Sequence, residues 1–313
     1  MEALAAQPNL TLALIASIVI LGVATGGYLF LARRGVTPTL RKVGSLLQFL
    51  WTLTAVFLAA LFYGRFILIL YLAFISFLAL KEYLSITPTR RADRRVLFFA
   101  YLGITIQLIF TGLGWYYAFI GFVPIYTLFF LPGLMVIVGE TRGFLRALAT
   151  LSWGMMLTVY SLGHLAYLLM LPDTINPGSG GFGLFLFLVT LTQLDDVAQF
   201  VLGKRFNQPR LRLKVTTTRT WASLIGGACF TGVLAWSTAP LLTPFTPLQA
   251  LIVGVIISAS SFVGYITLSA IKMDLQLKDR GTMTPGHGGV LNRIDTLIFT
   301  APLFFHLVLL LHG

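Results

Sequence analysis

Residues 10–32 read LTLALIASIVILGVATGGYLFLA, 23 positions without one charged side chain. A helix rises about 1.5 Å per residue, so such a run is longer than the roughly 30 Å hydrocarbon core of a bilayer. It predicts a membrane span. Glu2 precedes the run and no basic residue does, whereas Arg33 and Arg34 follow it. A secretory signal has its positive charge in front of the apolar stretch, so this run reads as a retained anchor with its N-terminus outside.

Nine similar runs follow, at about 43–63, 66–85, 96–113, 117–139, 147–171, 182–203, 221–242, 247–271 and 294–312. Apolar residues make up 57% of the 313 positions and charged residues 10%, against about 25% charged in a soluble domain. Too few charged side chains are present to cover a soluble fold around that much hydrocarbon. The composition excludes a cytosolic enzyme, a secreted disulfide scaffold and a disordered chain. Strict alternation, the mark of a membrane β-barrel, is missing. The expected fold class is all-α, a polytopic membrane helix bundle of about ten transmembrane helices. Residues 1–146 form its N-terminal helices and residues 147–313 a C-terminal membrane domain. Cys229 is the single cysteine, which leaves neither an internal disulfide nor a cysteine metal cluster.

The basic residues sort onto one side of this topology. With ten spans and the N-terminus outside, 21 of the 22 Lys and Arg residues fall on the inner face and only Arg65 falls outside, as the positive-inside rule requires. The net charge of +12 is then a layer beside anionic lipid. Membrane anchoring accounts for it, and no nucleic acid partner is expected. Glu82 and Glu140 lie near basic residues and read as surface ion pairs. His164, within the sixth run, reads as a hydrogen-bonded core residue.

Ionisable groups inside a span, and glycine-rich polar loops next to one, mark function in a membrane chain. Three such places follow Val189. Thr192-Gln-Leu-Asp-Asp196 puts two carboxylates near the inner end of the seventh run. A buried carboxylate needs a partner, so the pair is either salt-bridged to a neighbouring span or part of a polar site. The loop 204–220 carries six basic residues and four threonines before Trp221, donors suited to phosphate and equally to a positive-inside loop. Residues 269–295 read SAIKMDLQLKDRGTMTPGHGGVLNRID. Its Pro285-Gly-His-Gly-Gly289 stretch lets backbone approach a ligand. Lys272, Lys278 and Arg293 bring positive charge, and Asp279 and Asp295 bring carboxylates. This reads as a phosphate- and metal-handling loop.

At these residues the chain resembles the phosphatidate cytidylyltransferase (CDP-diacylglycerol synthase) family. The C-terminal signature of that family is roughly S-x-x-K-R-x4-K-D-x-G-x3-P-G-H-G-G-x-x-D-R-x-D. Ser269, Lys272, Lys278, Asp279, Gly281, Pro285 to Gly289, Arg293 and Asp295 match it with spacing intact. An upstream family pattern, D-S-G-A-Y-x-x-G-K/R-x-F followed by S-P-x-K-T-W-x-G-x-x-G-G, is met by Asp196, Gly203, Lys204 and Phe206, then by Thr220, Trp221, Gly226 and Gly227. The likeness covers about 190–300. It implies transfer of CMP from CTP to phosphatidic acid, Mg²⁺ as cofactor, and a homodimer. It further implies a multi-pass protein of the bacterial cytoplasmic membrane with its site on the cytoplasmic face, among membrane lipids. By the same resemblance, Lys272, Lys278, Asp279, His287, Arg293 and Asp295 are expected to be catalytic. Lys204, Arg219, Thr220, Ser269, Gly286, Gly288 and Gly289 are expected to bind substrate, and Asp196, Asp295 and Asn292 to bind metal.

The departures fall on chemical positions. Tyr265 and Leu268 stand where the family carries acids, Met273 replaces the Arg of K-R, and Asn292 replaces the first Asp of D-R-x-D. Val197, Ala198 and Gln199 replace S-G-A. Two readings follow: an active membrane nucleotidyltransferase, or a catalytically impaired relative that binds lipid phosphate or nucleotide or partners a phospholipid-synthesis enzyme. A transporter would place its polar residues nearer the midplane.

Overall fold

A computed structural model describes residues 8–33, 35, 38–206, 219–275 and 289–313. The apolar runs all become helix, and no strand occurs among the described residues. The helices are α1 (Pro8–Ala32), α2 (Pro38–Tyr63), α3 (Phe66–Ile86), α4 (Arg94–Gly112), α5 (Tyr116–Ile137), α6 (residues 144–168), α7 (Gly180–Arg205), α8 (Trp221–Leu242), α9 (Pro247–Asp274) and α10 (Leu291–His312). Sequence chemistry sets several of the ends. Thr220 and Ser223 form a reciprocal capping box at the start of α8, and Thr246 and Gln249 form another at α9, where Pro247 sits in the first turn. Gly64 turns α2 into α3 at φ +105°, a conformation that glycine tolerates.

Nine of these helices are long and apolar enough to cross a membrane. The tenth, α6, is less apolar, and its polar residues face protein. Thr158, Ser161 and His164 are buried in it, and a helix walled in by other helices need not match lipid. His164 behaves as expected, its Nδ1 lying 2.8 Å from the Tyr160 carbonyl. Both α5 and α6 contain a π-helical turn, at Tyr126–Phe130 and Met156–Tyr160. In α6 the Ser161 hydroxyl donates to the Met156 carbonyl.

The loops separate onto two ends of the bundle. At one end Arg65 donates to the Leu169 carbonyl, while Asn176 and Ser179 donate to the carbonyls of Leu242 and Leu241. The Asn176–Gly181 segment thus ties helices together through the buried Asn176 and Ser179. At the other end Arg90 bridges Asp93 to the backbone of Glu140 and Arg142. Between the ends, α8 packs against α7 and α9, and α9 against α10. Small residues allow close approach, the usual basis of helix packing in lipid. A Cβ on Gly254 would stand 2.7 Å from the Thr231 carbonyl, and one on Gly264 would overlap the Asp295 carbonyl.

Candidate active site

The C-terminal ends of α7 and α9 and the N-terminal ends of α8 and α10 converge. Asp195 is fully buried in α7. Its Oδ1 accepts from the hydroxyls of Thr231 at 2.9 Å and Ser258 at 2.6 Å, and its Oδ2 accepts from Gln199 at 2.8 Å. Its buried carboxyl group is therefore held by three donors from α7, α8 and α9, as a polar group away from water requires. Asp196, one residue on, points elsewhere. It accepts from the Arg219 guanidinium at 2.6 Å and keeps a side-chain exposure of 45%.

Arg219 precedes α8 and is 5% exposed. Besides Asp196 it donates to Gln199 Oε1 at 3.0 Å, and its guanidinium carbon lies 4.2 Å from the centre of the Tyr265 ring. A cation over an aromatic face is attracted by the ring quadrupole. Tyr265, which stands where the family pattern carries an acid, thus supports a protein cation. Lys272, on the last turn of α9, donates to Asn292 Oδ1 on the first turn of α10. Asp295 accepts from the Thr296 N–H at 2.8 Å and feels the charges of Asp196, Lys272 and Arg219. The acids and cations from the two sequence segments therefore meet at one site.

The other expected residues take varied places. The Thr220 hydroxyl caps α8, accepting from the Ser223 N–H at 3.1 Å. Ser269 donates to the Tyr265 carbonyl. The Arg293 guanidinium carbon lies 5.9 Å from the centre of the Phe49 ring of α2. Lys278, Asp279, Gly286, His287 and Gly288, together with the Lys204 side chain, lie outside the described residues. Beside the site, a cavity of about 300 Å³ is lined by Tyr83, Thr87, Arg146, Thr150, Ile271 and Asp274, among others.

Among the described residues no three His, Cys, Asp or Glu side chains form a ready metal cage. The donor chemistry nevertheless fits Mg²⁺, which favours oxygen and is bound by one or two carboxylates plus substrate phosphates. Asp196 and Asp295 each use only Oδ1 in hydrogen bonds among the described residues.

A profile described as the cytidylyltransferase family matches residues 46–311. The chain belongs to that family. It is 37% identical over 276 residues to a protein of Escherichia coli (strain K12) named "Uncharacterized protein YnbB", covering 88% of this chain and 89% of that one. It is 36% identical over 121 residues to a phosphatidate cytidylyltransferase of Synechocystis, 37% of this chain and 40% of that enzyme. A Brucella suis phosphatidate cytidylyltransferase matches at 30% over 125 residues, 40% and 46% of the two chains. The chain thus spans less than half the length of either enzyme.

This cytidylyltransferase-family site also draws on the N-terminal helices. Glu82, near the end of α3, accepts the Leu291 N–H at the start of α10 at 3.0 Å, and its carboxylate rests against Gly289, where a Cβ would overlap it. Glu82 is therefore a cap on α10, and the surface ion pair expected for it is corrected. An anion at a helix N-terminus satisfies an orphan N–H and the helix dipole. Glu82→Ala is expected to destabilise the fold by about 1–2 kcal/mol, read as a lower unfolding midpoint in detergent. Glu82→Gln, which keeps an acceptor, is expected to lose less. Gln199, Thr231 and Ser258 were also absent from the expected site. Polar residues inside apolar runs were the available signal for them. No signal pointed to Glu82, whose partner is 209 positions away.

Proposed function

We propose that this protein is a membrane-embedded CTP:phosphatidate cytidylyltransferase, acting at the cytoplasmic face of a bacterial inner membrane. A non-bridging oxygen of the lipid phosphate attacks the α-phosphorus of CTP. The bond from that phosphorus to the β-phosphate oxygen breaks, and diphosphate leaves with the electron pair. The lipid phosphate is already anionic, so the demand on the protein is positioning and charge neutralisation. Arg219 and Lys272 supply positive charge to the triphosphate. Asp196 and Asp295 are the carboxylates that would hold Mg²⁺, which when bound neutralises phosphate charge. The cavity between α3, α6 and α9 offers the lipid headgroup a route to the same place.

The observation that carries this reading is the meeting of two sequence segments: Arg219, paired with Asp196, lies over Tyr265 of α9, Gly264 beside it packs on the Asp295 backbone, and Lys272 reaches Asn292 one turn before Asp295. The test is incorporation of labelled CTP into lipid by the purified protein, with phosphatidic acid and Mg²⁺. CDP-lipid is expected from the wild type. Asp295→Ala is expected to reduce it about 100-fold, the scale of losing one preorganised electrostatic group. The impaired-relative reading draws on Tyr265 and Asn292. No CDP-lipid despite retained CTP binding would establish it.

A further inference from the structure

We propose that at this site the nucleotide binds before the metal, because the chain's own cations guard the metal's oxygen ligands until phosphate draws them away. The inference rests on the nucleotide reading above. Two of the three candidate metal ligands already have a cation on them. Arg219 donates to Asp196 Oδ1 at 2.6 Å, and Lys272 donates to Asn292 Oδ1. The third, Asp295, feels both cations. A divalent ion approaching the nucleotide-free site therefore meets two positive charges at close range, and such repulsion is strong in a partly desolvated setting.

Arg219 is not an accidental surface contact. It is 5% exposed and held from three sides by Asp196, Gln199 Oε1 and the Tyr265 ring. Gln199 is in turn fixed by Asp195 and Ser258. Two departures from the family pattern, Gln199 and Tyr265, thus build one cradle for a guanidinium. Only two N–H groups of Arg219 are hydrogen-bonded to described residues, and a guanidinium has five. The rest can engage phosphate. A triphosphate offers several negative charges, so it outcompetes the single charge of Asp196 for Arg219 and the neutral amide of Asn292 for Lys272. Asp196 and Asn292 are then released as ligands, and the phosphates complete the oxygen shell. By linkage, nucleotide raises metal affinity by the same factor that metal raises nucleotide affinity.

Mn²⁺ is the probe. Its retention by the full-length protein in detergent is measured by equilibrium dialysis and by loss of the free-ion EPR signal. No phosphatidic acid is present, so nothing turns over. Wild type without CTP is expected to bind at least about 10-fold more weakly than Arg219→Met/Lys272→Gln, in which the guards are gone; that factor corresponds to about 1.4 kcal/mol. Lys272→Gln alone alters a partly exposed side chain and is expected to show part of the gain. The gain counts as removal of the guards where the variant keeps the unfolding midpoint of the wild type, since an unfolded chain also binds metal. CTP is expected to raise Mn²⁺ retention by wild type in step with CTP retention. Wild type binding nucleotide-free Mn²⁺ as tightly as the variants overturns the guard. A gain in the variants without CTP-dependent retention in wild type overturns the binding order together with the nucleotide reading.

Discussion

Asp195→Ala is expected to destabilise the protein by about 3–5 kcal/mol, the scale of leaving two or three buried donors short of an acceptor. The alanine takes the carboxylate acceptor from the buried hydroxyls of Thr231 and Ser258 and leaves Gln199 with Ser258 alone, and each unsatisfied group costs about 1–3 kcal/mol. The loss extends to Arg219, because Gln199 holds that guanidinium through its Oε1 while its amide nitrogen is held by Asp195. The measurement is the unfolding midpoint in detergent micelles. Asp195→Asn keeps an acceptor oxygen for the two hydroxyls, which can rotate, and is expected to cost about 1 kcal/mol. An unchanged midpoint for Asp195→Ala would show that the three donors find other partners and that Asp195 does not organise the α7–α8–α9 junction.

The second large effect is expected at Gly264. A Cβ there would overlap the backbone carbonyl oxygen of Asp295. A carbonyl in a helix cannot turn aside, so α9 and α10 must separate. Overpacking of this kind costs about 1–3 kcal/mol. Activity is expected to fall further, by about 10–100-fold, because a displacement near 1 Å at a reacting centre is felt on that scale. Gly226→Ala is the contrast. Its Cβ would meet a Leu202 methyl at 2.6 Å, the end of a flexible side chain that can move. It is expected to leave both CDP-lipid formation and stability within a small margin of wild type. Equal activity losses for the two alanines would show that general loosening of the bundle, and not the position of Asp295, sets the rate.

These expectations mark where sequence stopped being sufficient. The apolar runs alone determined nine spans, since hydropathy over about 20 residues is the quantity a bilayer reads. They also placed α6, although its polar content makes sense only once Thr158, Ser161 and His164 are seen facing protein. That basic residues fall between the runs was legible for the same reason, because charge must stay out of hydrocarbon. The motif spacing from Lys272 to Asp295 determined the family likeness, since spacing survives in a linear text.

Contact across the bundle does not survive there. Asp195 and Asp196 are adjacent in sequence, yet helix geometry turns one into a three-donor core network and the other toward Arg219. The sequence left a salt bridge and a polar site open as alternatives, and in the tertiary structure Asp196 takes part in both. Thr220 looked like a phosphate ligand, and its hydroxyl is the cap of α8. The capping of α10 by Glu82 depends on α3 lying beside the start of α10. Sequence by itself therefore determined the membrane-spanning helices and the family, because both are written in local composition and spacing. Only the tertiary structure decided which charge meets which, because that depends on the rotation and approach of helices, from neighbours in sequence to α3 and α10, whose contact joins residues 209 positions apart.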